Sequence, residues 1–245
     1  MKKVLRDKRG QFVIIAVLMI AVMIISIGAL MHRAVTYYKH EPWEEYLALI
    51  GNIELNSKRL VELSLANYSH TLNQKNLKIN LERWKADISN IYVGRDASLS
   101  YELANRSYTV DGTSVKYLFG LNYSWFKPKS FTAANATFML NVTAIGLTGY
   151  KFTVLAFLNL TILNVTTNNI TITVKAEDKM PVAGLEKENF QVKFGNTVIS
   201  IVSVKSCYDN KEALIYIIEC AQNISTPVTV EVSDLRGIKV VAQYP

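Results

Sequence analysis

The spacing of apolar positions changes twice along the chain. From Gln11 to Met31 (QFVIIAVLMIAVMIISIGALM) there is no charged side chain, and only Gln11 and Ser26 are polar. A helix of that length spans about 30 Å, the thickness of a bilayer's hydrocarbon core. It has no polar stripe of the kind a soluble surface helix shows. The run therefore predicts a transmembrane helix over residues 11–33, with membrane lipid as its partner. A removed signal peptide is the alternative, with Ser26 and Gly28 as its small residues.

Apolar residues next recur at helical spacing. Glu41-Pro42-Trp43-Glu44-Glu45 reads as a helix start, with proline in the first turn and acids complementing the dipole. Trp43, Tyr46, Ile50, Ile53 and Leu60 continue it to about Asn67, with Ser57 and Ser64 interrupting the seam. Leu77, Leu81, Trp84, Ile88 and Ile91 then define one face of a second helix. Tyr68 to Lys75 is a mostly polar link, so residues 34–94 are expected to form a helical stalk and antiparallel hairpin, bent away from the membrane helix at Pro42.

From about Ala97 the period falls to two. Leu99, Tyr101 and Leu103 alternate, and Tyr108 and Val110 lead through Asp111-Gly112 to Val115 and Tyr117 as a hairpin. Phe138, Leu140 and Val142 share one parity, as do Phe152 through Ile162 and Ile170 through Val174. Asn141, Asn159 and Asn169 fall on the opposite, polar parity, and Asn164 is read as lying past its strand's end. Further strands are expected at Ala213–Ile218, Pro227–Val232 and Ile238–Ala242. The expected fold class is a single transmembrane helix plus an α-hairpin, then mainly β, with one or two immunoglobulin-like β-sandwiches. The boundaries are a β-sandwich over residues 95–165 and a second β domain over 166–245, although Ile170–Ala176 fits either.

The segment KAEDKMPVAGL, with Asp178, Pro181, Val182, Gly184 and Leu185, resembles the D-x-x-P-V-x-G-L stretch of immunoglobulin-like modules in prokaryotic surface proteins. The resemblance implies an immunoglobulin-like fold for about the last 70 residues, with a strand ending at Gly195-Asn196.

Charge fixes the expected topology. Lys2, Lys3, Arg6, Lys8 and Arg9, against Asp7 alone, place +4 of the formal +7 in residues 1–10. Flanking positive charge is retained inside, so the N-terminus is expected to be a cytoplasmic tail and Thr36 onward extracellular. The remaining +3 is spread over the other residues, too diffuse for a phosphate-binding stripe, so no nucleic-acid partner is expected. Beyond the anchor, about 210 residues are enough for one large or two small domains.

Nine of the 19 asparagines stand in Asn-x-Ser/Thr sequons: Asn67, Asn105, Asn122, Asn135, Asn141, Asn159, Asn164, Asn169 and Asn223. All follow the apolar span, so all are candidate N-glycosylation sites of an outside domain. Cys207 and Cys220 are a candidate disulfide, which would contribute about 3 kcal/mol in the chain-entropy model, with two buried free thiols as the alternative. A simple hairpin turning near Asp209–Lys211 would instead set Cys207 opposite a residue near Leu214. His32, His40 and His70 have no metal-ligand spacing, and Asp209 in CYDNKE reads as a turn before it reads as a calcium loop. The chain carries no nucleophile elbow, phosphate loop or zinc motif. The reading is a non-enzymatic protein with no cofactor and no evident small-molecule substrate.

Lys8-Arg9-Gly10-Gln11 followed by an apolar helix resembles an archaeal type IV prepilin. That resemblance implies cleavage between Gly10 and Gln11, extraction from the membrane and bundling of the N-terminal helices into a filament core. Many pilins carry a glutamate four residues after the first mature residue, where it neutralises the new amine. Here that residue is Ile15, and Val13 stands where a serine is common. Two functions follow. The first is a membrane-anchored cell-surface structural or adhesive glycoprotein. The alternative is a pilin-like filament subunit or minor pilin, with pilus partners.

Overall fold

A computed structural model describes residues 8–39, 43–110, 113–208 and 213–245. The chain divides into two compact units, Met1–Asn52 and Ile53–Pro245.

In the first unit, α1 (Lys8–Lys39) contains the whole apolar run and extends past the expected 11–33 at both ends. No proline interrupts it before Pro42. It is long and apolar enough to cross a membrane, and a signal sequence near an N-terminus meets the same description. Every side chain from Val17 to Arg33 is exposed, including eleven large apolar ones between Val17 and Met31. Lys2, Lys3, Arg6, His40 and the expected bend at Pro42 lie outside the described residues.

The expected helical hairpin is present as α2 (Trp43–Thr71) and α3 (Asn76–Ile91). Ile53, Val61 and Leu65 of α2 are buried, as are Leu77, Leu81 and Ile88 of α3. The two serines that seemed to interrupt the seam join the helices. Trp84 Nε1 donates to Ser57 Oγ at 2.9 Å, and Asn80 Nδ2 donates to Ser64 Oγ at 2.9 Å. Both serines are fully buried, so each hydroxyl satisfies a polar group that would otherwise lose its water. Rising numbers on α2 meet falling numbers on α3, which makes the pair antiparallel.

The β region opens with β1 (Ala97–Leu103), then β2 (Ser107–Val110) and β3 (Thr113–Lys116). β2 and β3 form the expected hairpin; Asp111 and Gly112 lie outside the described residues. Next come β4 (Leu121–Ser124), β5 (Lys129–Val142), β6 (Leu147–Val165) and β7 (Asn169–Lys175). The chain ends with β8 (Phe190–Phe194), β9 (Thr197–Ile199), β10 (Ile201–Tyr208), β11 (Leu214–Cys220), β12 (Val228–Ser233) and β13 (Lys239–Tyr244).

Seven of these make one antiparallel sheet in the order β1-β5-β6-β7-β11-β10, with β4 also beside β5. Four make a second, β13-β12-β8-β9. The expected domain boundary between residues 165 and 166 falls inside the larger sheet. The link from β6 to β7 is too short to be a domain linker, and Thr166 N donates across it to Asn169 O at 2.8 Å. β7 therefore continues the sheet, β11 and β10 extend it, and residues 53–245 are one unit rather than two.

One face of the larger sheet carries the core. Phe138, Leu140, Leu158, Leu160, Ile170, Ile172 and Ile218 are fully buried, and Phe138 stacks on Phe152 with ring centroids 5.1 Å apart. α3 lies against β1, and β13 lies against β5 and β6. Besides half-buried Met139, Ile215 and Ile217, the opposite face is apolar where the β2–β3 hairpin covers it. There Val115 and Tyr117 pack with Phe131, Ala133 and Phe157. Elsewhere Thr, Ser, Asn and Lys alternate outward, as the period-two pattern predicts.

Asn164 is not past the end of its strand. The register shifts between Ile162 and Asn164, so Leu163 is an extra residue and Asn164 lies within β6 after a bulge. The bulge resets the alternation, which is why Asn164 breaks parity and is nonetheless exposed.

Candidate functional site

The turn between β12 and β13 fastens the helical hairpin to the larger sheet. Asp234 Oδ1 accepts from Arg236 N at 3.0 Å and Ile238 N at 2.9 Å, a side-chain-closed turn that Gly237 completes at φ +78°. This holds the Arg236 guanidinium against three carboxylates: Asp234 at 2.8 Å, Glu177 at 2.7 Å and Glu62 of α2 at 3.3 Å. Arg236 also donates to Phe157 O at 3.2 Å, and Glu177 accepts from Phe157 N at 2.6 Å. Phe157 lies where β6 has run beyond β7, so these side chains satisfy backbone groups that no strand pairs. Burial opposes the charge on Arg236. Asp234 and Glu177 outweigh it and hold the guanidinium above its ordinary pKa. Lys239 N donating to Ser69 Oγ at 3.0 Å, and His70 Nε2 against Gly237 O at 3.1 Å, complete the fastening.

The sequons fall into three groups. Asn67, Asn105, Asn164, Asn169 and Asn223 are exposed, and Asn122 and Asn141 are half-buried. Asn135 and Asn159 are buried, at 8% and 6% exposure. Asn135 is held under the turn before β4, where its N–H donates to Gly120 O at 2.7 Å and its carbonyl accepts from Ala104 N at 3.3 Å. Asn159 does lie on the outer parity of β6, but it is not open there as the alternation predicts. Neighbouring strands supply long side chains around it.

Those neighbours form a pocket of about 500 Å³, lined by Lys129, Asn159, Thr161, Leu163, Thr173, Lys175, Lys179 and Ala213. Strand register brings them together. Lys129 of β5 pairs with Thr161 of β6, which pairs with Thr173 of β7; in the next row on the same face, Asn159 pairs with Lys175. Thr161 Oγ1 donates to Asn159 Oδ1 at 3.1 Å. Apart from Ala213, these residues lie on three strands and a turn, with no local motif. Only aligning the polar parities of β5, β6 and β7 would have found them.

Cys207 and Cys220 are free thiols, exposed and buried respectively, and the expected disulfide is corrected accordingly. In the β10–β11 hairpin Cys207 faces Ile215 and Cys220 faces Ile201, which separates the two by five or six rows, roughly 17–20 Å. Burial pushes the Cys220 thiol pKa up. Gly10 and Gln11 lie inside α1. Asp209 and its CYDNKE loop fall outside the described residues from Asp209 onward. Among the described residues no three His, Cys, Asp or Glu side chains converge as a metal site. No family model matches the chain, and comparisons with curated proteins and with solved structures find no match.

Proposed function

We propose that this chain is a non-enzymatic cell-surface glycoprotein, structural or adhesive, held in the membrane by α1 with its β-rich unit outside. The observation that carries the reading is the uncovered apolar surface of α1. Eleven large apolar side chains exposed to water would cost on the order of 20 kcal/mol, which lipid removes. The basic residues before the span set the orientation with the N-terminus inside. The exposed sequons following the span support glycosylation of the outer unit. We further read the two sheets as one β-sandwich, supported by β13 stacking on β5 and β6. The link from Asp178 to Leu185, which carries the chain from β7 to β8, supports an immunoglobulin-like relationship.

A pilin-like subunit is the second reading, favoured by the Lys8-Arg9-Gly10-Gln11 junction before that same apolar helix. After cleavage a new amine at Gln11 would enter a filament core in which no carboxylate precedes Glu41, a costly burial. The chain is therefore expected to join a filament, if at all, as a minor component. The N-terminal sequence of the protein isolated from its host tests this. A terminus upstream of Gly10 supports the anchor, whereas Gln11 together with homopolymeric filaments seen by electron microscopy would replace it with the pilin reading.

A further inference from the structure

We propose that the pocket over β5, β6 and β7 binds the uronic-acid unit of an acidic glycan. The observation behind it is a set of buried donors aimed into an open cavity. Thr173 is 8% exposed and its hydroxyl has no hydrogen-bond partner among the described residues. Asn159 is 6% exposed, and its Oδ1 is occupied by Thr161, which leaves both amide hydrogens on Nδ2 for a ligand. Both side chains belong to largely buried residues yet line the cavity, so their donors face the cavity and offer a place for a ligand's acceptors.

The rim supplies the sign of charge. Lys129 and Lys175 stand at opposite sides of the floor and form no ion pair among the described residues, and among the described residues no carboxylate lines the pocket. The bulge in β6 turns Leu163, half exposed, into the wall. Hydroxyl and amide donors below, an apolar wall and ammonium groups above match a sugar ring that carries a carboxylate. Its hydroxyls accept from Thr173 and Asn159, its C–H face lies on Leu163, and its carboxylate reaches Lys129 or Lys175. A small inorganic anion has no apolar face to lie on Leu163. A neutral sugar leaves the lysines unused. The cavity of about 500 Å³ is large enough for one such unit with its glycosidic neighbour. The proposal stands whether α1 is an anchor or a filament helix.

The test is ligand-observed NMR on the full-length protein in detergent micelles, with sodium glucuronate, glucose and inorganic phosphate as separate probes. The expected result is saturable glucuronate binding about tenfold or more tighter than that of glucose or phosphate. Thr173→Val, which removes one hydroxyl at constant volume, is expected to weaken glucuronate about fivefold or more. Lys129→Gln with Lys175→Gln is expected to bring glucuronate down to the level of glucose. Thermal unfolding of each variant confirms that the fold is kept. Thr173→Ser, which keeps the donor and loses a methyl group, is expected to retain binding, which separates loss of the hydroxyl from a change in packing. No saturable glucuronate signal, glucuronate binding unchanged in both variants, or phosphate binding as tightly as glucuronate would overturn the proposal.

Discussion

Asp234 has a side chain only 3% exposed, and its charge is tolerable because Arg236 and two backbone N–H groups face it. Removing one partner of such a pair costs more than the pair contributes, because the remaining charge stays buried. Arg236→Met is therefore expected to destabilise the unit by about 2–4 kcal/mol, read as a lower urea midpoint. Arg236→Lys keeps the charge but loses the fork that reaches Asp234, Glu177 and Phe157 together, so it is expected to recover less than half of the loss. A second residue contributes to the alkaline limit. Burial, and then the neighbouring Tyr123, push the Tyr68 phenol up to about 12 from 10.0. The folded phenol holds its proton more tightly than the unfolded one. Stability from Tyr68 is thus full below about pH 10 and is lost as the pH rises toward 12. Urea midpoints of the native protein and Tyr68→Phe, compared from pH 8 upward, are expected to fall more steeply with pH in the native protein.

At the scale of elements, local packing rather than strand alternation decides which sequons can carry sugar. An attached glycan needs open space around the asparagine, which exposed Asn67, Asn105, Asn164, Asn169 and Asn223 have and largely buried Asn135 and Asn159 lack. Glycopeptide mapping of the protein from its host is expected to find sugar within the first set and none on Asn135 or Asn159. Occupancy of Asn159 would mean that β6 is open there. Elements formed by neighbours in sequence were legible from spacing alone. Leu77, Leu81 and Ile88 marked the buried face of α3, and the odd–even pattern of β5, β6 and β7 marked the core face of the sheet. The Cys207 register was legible too: a hairpin near Asp209 put it opposite a residue near Leu214, and it faces Ile215. What was not legible depends on partners distant in the chain. Arg236 meets Glu62 and Glu177 only after the helices and both sheets are assembled. The bulge at Leu163 and the long side chains that β5 and β7 supply around Asn159 overrode a parity rule that assumes a regular strand open on one face.

At the scale of the molecule, the account joins an N-terminal apolar helix to one β-rich unit of residues 53–245, in place of a chain of two β domains. No separate linker divides the strands, so the unit is expected to unfold in a single cooperative transition, with β1 to β13 lost together. In the proposed anchored arrangement, the basic residues before the span act at this scale, biasing the whole chain's orientation rather than any contact. Replacing Lys2, Lys3 and Arg6 by glutamate is expected to weaken that bias. The most direct test of the anchored, outward-facing arrangement is protease accessibility on intact cells with a permeable wall layer, with one epitope at Met1 and another after Pro245. The arrangement predicts loss of the epitope after Pro245 and survival of the epitope at Met1 on a membrane-bound fragment; digestion of the Met1 epitope from outside, or protection of the C-terminal one, would contradict it.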